Sequence, residues 1–124
     1  MNEASHSAAD KYYRAMRRKA EGIDDLIAVF DDDAVYVEPF SDRGRASAHT
    51  GKSNIAEFLR KMPENTPPDM EVHVDRIDRD ANVVRAVWTC TSAAFPTMYG
   101  RDLFEIKNGK ISRLETTLIE NPNA

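Results

Sequence analysis

Taking every second residue from Met98 gives Met98, Gly100, Asp102, Phe104 and Ile106, an apolar strand face with a carboxylate in its middle. The opposite face, Tyr99, Arg101, Leu103, Glu105 and Lys107, is amphipathic or charged. Successive side chains of a strand point to opposite faces, so Asp102 is expected to point inward, towards a core or a pocket. A buried carboxylate must be paired, hydrogen-bonded or protonated. Arg101 is a poor partner because it faces the other way. Without a cation the carboxyl's pKa rises, and such perturbed acids concentrate where protons are moved. The plainer alternatives are an acid that holds a loop, or one at a frayed strand end. A second acid, Glu38, closes a shorter run: alternation puts Ala34, Tyr36 and Glu38 on one side, just before Pro39. Glu38 is either a pocket acid or an exposed strand-end acid.

Composition narrows the partners. The chain has 124 residues, 41% hydrophobic and 31% charged, enough for one domain with one core, taken as residues 1–124 with 1–6 and 120–124 expected to fray. The net charge of −4 and the lack of a basic block argue against nucleic acid, which demands clustered Lys and Arg. Arg14, Arg17, Arg18 and Lys19 are assigned to a solvated helix face. The single cysteine, Cys90, permits no internal disulfide and fits a reducing cytoplasm. His6, His49 and His73 stand apart without metal-site spacing, so no metal and no cofactor are expected; His73 is taken as a strand residue. The start Met1-Asn2-Glu3-Ala4-Ser5 lacks the features of a signal peptide, and no apolar run is long enough to span a membrane.

Several elements must hold these acids in place. Ala9, Tyr13, Met16 and Ala20 share one face of a helix predicted over residues 7–20, broken by Gly22. A second helix starts near Asp24 or Asp25, contains Leu26, Ile27, Val29 and Phe30, and ends at Asp31-Asp32-Asp33. Residues 34–38 are predicted as a strand stopped by Pro39, followed by a loop around Ser41–Arg45. Ser53 is the expected N-cap of a third helix that buries Ile55, Ala56, Phe58 and Leu59; Pro63 closes it, and Pro67-Pro68 makes a rigid connector. Four strands follow, over 71–78, 83–93, 98–107 and 110–118, with turns at Asp80-Ala81-Asn82 and Asn108-Gly109. Helices followed by a meander argue an α+β fold, with helices covering one face of a curved sheet.

In this order the segments resemble the nuclear transport factor 2-like superfamily, within its ketosteroid isomerase and SnoaL-like branch. The resemblance covers roughly Ala8 to Leu118. It rests on Tyr12-Tyr13-Arg14-Ala15-Met16, Leu26 through Ala34, Glu38-Pro39, Gly51-Lys52-Ser53-Asn54-Ile55 and Asp102 through Ile111. It implies a cystatin-like cone: three helices packed in a strongly bent, mostly antiparallel sheet, with a pocket at the wide end and often a homodimer. Ketosteroid isomerases use a tyrosine on the first helix, an aspartate before a proline at the end of the first strand, and a later strand aspartate. Asp102 matches the last of these, and Tyr13 matches the tyrosine if one residue is inserted before Gly22. The base position falls on Glu38, a carboxylate with one extra methylene. The limonene epoxide hydrolase pattern is disfavoured, because its Arg-x-Asp falls on Ala86 and Trp88 and its other aspartate near Thr116. SnoaL-type cyclases stay open.

The resemblance therefore implies Glu38, Asp102 and Tyr13 as catalytic groups. A neutral acid and a phenol can donate to one developing oxyanion while an ionised carboxylate shuttles a proton, the arrangement that ketosteroid isomerases use. Tyr13 also fits a core aromatic on its helix face. Trp88, Met98, Phe104 and Leu118 are the candidate ligand-lining residues. The implied activity is cofactor-free proton transfer on a small apolar carbonyl compound, of isomerase or cyclase type. The alternative is a non-catalytic binding or dimerisation module of the same fold, since fold does not fix function.

Overall fold

The computed structural model describes residues 2–122, apart from the side chains of residues 2–7 and Asn65. Its elements in chain order are α1 (Asn2–Arg17), α2 (Ile23–Ala28), β1 (Phe30–Asp42), β2 (Arg45–Thr50), α3 (Lys52–Lys61), β3 (Glu71–Asp80), β4 (Val83–Ser92), β5 (Phe95–Lys107) and β6 (Lys110–Ile119), with single 3₁₀ turns at Lys19–Gly22 and Met62–Asn65. The six strands form one sheet in the order β2-β1-β6-β5-β4-β3. All neighbours are antiparallel except β1 and β6, which run parallel, so the sheet is mixed. The helices lie on one face of this sheet, an α+β fold.

The meander follows its sequence pattern closely. On β4 the inward residues Val84, Ala86, Trp88 and Cys90 are buried, and on β5 so are Gly100, Asp102, Phe104 and Ile106. Asn108 (φ 52°) and Gly109 (φ 77°) make a two-residue hairpin turn with both residues left-handed, which matches the twist of the flanking strands. Register shifts between Val74 and Arg76, between Cys90 and Ser92, and between Glu105 and Ile106 interrupt the ladders. Such bulges bend and twist a strand, and here they curve the sheet around the helices. The core they enclose is aromatic near α1: Tyr12 stacks edge-on against Phe104 at 5.4 Å and Tyr13 against Phe104 at 5.6 Å.

The N-terminal half departs from the sequence pattern in five places. Helix α1 begins before Ser7 and stops at Arg17, so Ala20 is exposed rather than on the buried face. The chain turns back sharply there: Lys19 is left-handed (φ 56°), and a Cβ on Gly22 would stand 2.0 Å from the Ala15 carbonyl oxygen. Helix α2 ends at Ala28, and Phe30 with Asp31-Asp32-Asp33 belongs to β1, because Phe30 pairs with Ile111 across the parallel ladder. Pro39 does not stop β1. It sits where the β1–β2 register shifts between Glu38 and Asp42, a bulge that needs no amide from it. The loop expected over Ser41–Arg45 shrinks to a turn at Arg43-Gly44 between β1 and a sixth strand, β2. Helix α3 is capped by Gly51 (φ 86°), one position before Lys52, so Ser53 lies inside the helix. The termini at residues 1 and 123–124, where fraying is expected, lie outside the described residues.

Candidate functional site

Asp102 faces inward as its strand pattern requires and is 2% exposed. Its Cα neighbours across the sheet are Ala86 on β4 and Thr116 on β6. Tyr13 Oη, from α1, donates to Asp102 Oδ2 at 2.5 Å, and Thr116 Oγ1 donates to Oδ1 at 2.7 Å. The Trp88 indole N–H donates to the same carboxyl. None of these partners is a cation. Burial raises the Asp102 pKa, and the hydrogen bonds from Thr116, Tyr13 and Trp88 only partly oppose it. The neighbouring phenols respond in kind. Burial, then the Asp102 charge, pushes Tyr13 well up; Tyr36 rises for the same two reasons, and Tyr12 through burial and its neighbour Tyr36.

Asp102 and Thr116 belong to the wall of a cavity of about 560 Å³ between the sheet and α1 and α3, a volume suited to a small organic ligand. Its lining is mostly apolar: Trp88, Phe40, Phe58 and Phe95, together with Met16, Met62, Met70 and Met98. Those are four of the five methionines in the sequence, and their flexible thioethers make an adaptable surface. Cys90 is also in the wall, and burial pushes its thiol up. Phe40, 42% exposed, and Lys61 stand at the rim.

The structure brings some of the expected site residues together and separates others. Asp102, Trp88 and Met98 line the cavity. Tyr13 touches Asp102 but lies behind it, outside the lining, while its neighbour Tyr12 is in the wall. Phe104 is not a lining residue: it is fully buried in the core, against Tyr12 and Tyr13. Leu118, 38% exposed, also stands outside the lining.

Glu38 does not share the cavity with Asp102. It is fully buried, and its carboxylate is saturated from its own hairpin. Oε1 accepts the Phe40 amide at 2.6 Å and the Ser41 amide at 3.0 Å; Oε2 accepts the Ser41 hydroxyl and lies 2.7 Å from His49 Nε2. Burial works to raise the Glu38 pKa, but the hydrogen bonds from Ser41, His49 and the Phe40 amide outweigh it and hold the group below the usual glutamate range. The two acids of the sequence pattern are thus driven in opposite directions, one by desolvation and one by donors.

Sequence reasoning passed over Tyr12, Tyr36, Thr116 and His49 as site residues. Tyr36 shares its strand side with Glu38, Thr116 lies directly across from Asp102, and Tyr12 is next to Tyr13, so period and register carried those signals. His49 needed β2, which pairs Tyr36 with His49 and sets Glu38 diagonally opposite. Among the described residues no three His, Cys, Asp or Glu side chains cluster as metal ligands; the His6 side chain lies outside the described residues. No described helix is long and apolar enough to cross a membrane.

A bent sheet wrapped on three helices, with a carboxyl in the wall of an apolar cavity, defines an α+β fold of the nuclear transport factor 2-like kind. The match to the SnoaL-like domain spans residues 9–114, and the chain belongs to that family. No curated protein sequence matches it. Among solved structures it is similar to a candidate ketosteroid isomerase from Kribbella flavida, with 19% identity and a TM-score of 0.76 over 97% of this chain and 81% of that one. An NTF2-like protein from Burkholderia pseudomallei has 16% identity and a TM-score of 0.76 over 94% of this chain and 91% of that one. An LEH-like epoxide hydrolase from M. tuberculosis has 21% identity and a TM-score of 0.71 over 95% of this chain and 84% of that one. At these identities the likeness establishes the fold alone.

Proposed function

We propose that this protein binds a small apolar carbonyl compound in the 560 Å³ cavity and moves a proton beside the carbonyl without a cofactor, Asp102 carrying the proton. The observation that supports this reading is a buried carboxyl, without a cation and with a raised pKa, in the wall of an otherwise apolar cavity. A carboxyl poised nearer neutrality can both take and return a proton. Tyr12 and Tyr36, also in the wall, are placed to donate to the oxygen on which charge develops. Tyr13 holds and tunes Asp102 from behind. The candidate ketosteroid isomerase among the structural neighbours agrees with this class of chemistry at the level of the fold. A second reading, a ligand-binding module without turnover, is favoured by one observation: Tyr13, Thr116 and Trp88 are all donors to Asp102, which also describes a satisfied structural carboxylate.

Binding of 4-nitrophenol, a planar phenol whose ionisation is visible in its absorbance, separates the two. Wild-type protein is expected to bind it, and Asp102→Asn to bind it more weakly by several-fold or more, since asparagine cannot take or share the phenol's proton as the Asp102 carboxyl can. Equal binding by both would leave the module. No binding by the wild type would reject the phenol-recognising site altogether.

A further inference from the structure

We propose that Glu38 is a positioning residue that shapes the cavity mouth from outside it. The inference rests on the cavity being the ligand site. Three wall residues depend on this one carboxylate. Phe40 and Ser41 are tied to it through their amides, and Ser41 through its hydroxyl as well. Phe58 is reached through His49, whose ring stacks on it at 4.4 Å and 24° while Nε2 meets Glu38. Phe40, Ser41 and Phe58 all line the cavity.

The need for such a group follows from the backbone. Beyond Glu38 the β1–β2 register shifts, so the amides of Phe40 and Ser41 point at a side chain rather than at a strand partner. At this partly buried bulge the two amides have no strand partner, and a carboxylate with two oxygens can take several donors at once. A base acting on a ligand would need a free lone pair facing the cavity, and both Glu38 oxygens are turned to its own hairpin.

Substitutions separate these roles because glutamine keeps an acceptor oxygen for the two amides whereas alanine keeps none. Glu38→Gln is expected to bind 4-nitrophenol within about threefold of the wild type, and Glu38→Ala to lose about tenfold or more as Phe40 and Phe58 come adrift. Equal, wild-type binding by both variants would overturn the proposal. Equal loss in both would overturn it too, because the charge rather than the acceptor would then matter. A ligand-free arm covers an alanine variant that does not fold. In the wild type the Phe40 and Ser41 amide proton resonances are expected to shift together in acid, with a midpoint below the ordinary glutamate value of 4.5. Amides that ignore the titration would show that Glu38 does not hold them. Since this measurement needs no probe, failure of the inference and failure of the ligand-binding reading are told apart.

Discussion

Desolvation at Asp102 has a consequence for stability as well as for chemistry. Its folded pKa is raised, so the folded state holds this proton more tightly than the unfolded chain does. Its stabilising contribution is therefore fully present below the unfolded value of 3.8 and is lost as pH rises through the raised folded value. Asp102→Asn cannot ionise and escapes that loss. The melting temperature of Asp102→Asn minus that of the wild type is expected to be more positive near about pH 7 than near about pH 4, measured by thermal unfolding at both. The reverse trend would mean that Tyr13, Thr116 and Trp88 stabilise the carboxylate more than burial penalises it. Glu38 has the opposite sign: held below the ordinary value by its donors, it contributes stability that is present above 4.5 and lost as pH falls through its folded value.

At the scale of elements, the close approach of β4 and β5 matters most for the cavity. Trp88 lies opposite Gly100, and a Cβ there would stand 1.9 Å from the indole Cζ2. The glycine lets the indole lie flat on the β5 backbone, where it both walls the cavity and reaches Asp102. Gly100→Ala is expected to cost about 1–3 kcal/mol through overpacking. Because Trp88 is the sole tryptophan, its emission should shift in the same variant. Denaturant titration followed by fluorescence checks both; wild-type midpoint and emission together would refute the close packing.

The molecule as a whole leaves the outer face of the meander uncovered by helices. Val83, Val87 and Leu103 there are only half buried, among Arg85, Arg101, Glu105 and Glu115. An apolar strip rimmed by charge is the usual composition of an interface between copies. Sedimentation at micromolar concentrations is expected to show a homodimer, and Leu103→Glu, which puts like charge beside Glu115, to shift it towards monomer. A wild-type protein that sediments only as monomer would end this expectation.

Local periods made part of the site legible. Alternation alone turned Asp102 inward, because the side-chain direction of a strand residue depends only on its parity within an unbroken run. Alternation also outlines the four strands of the meander, and the Asn108-Gly109 hairpin follows from two residues that tolerate positive φ. Parity could not show where a face stops being cavity and becomes core or surface, so Phe104 and Leu118 share a strand side with true wall residues without joining them. Glu38 marks the sharper boundary. Its surroundings depend on a bulge that absorbs Pro39 and on β2, a strand with too few apolar residues to announce itself. Composition and spacing thus determined that the chain carries one inward acid on a curved α+β sheet. Only the tertiary structure decided that Tyr13, 89 residues away, would touch that acid, and that Glu38 would be claimed by its own hairpin instead. Contacts across a fold are set by register and curvature, which no short window of sequence contains.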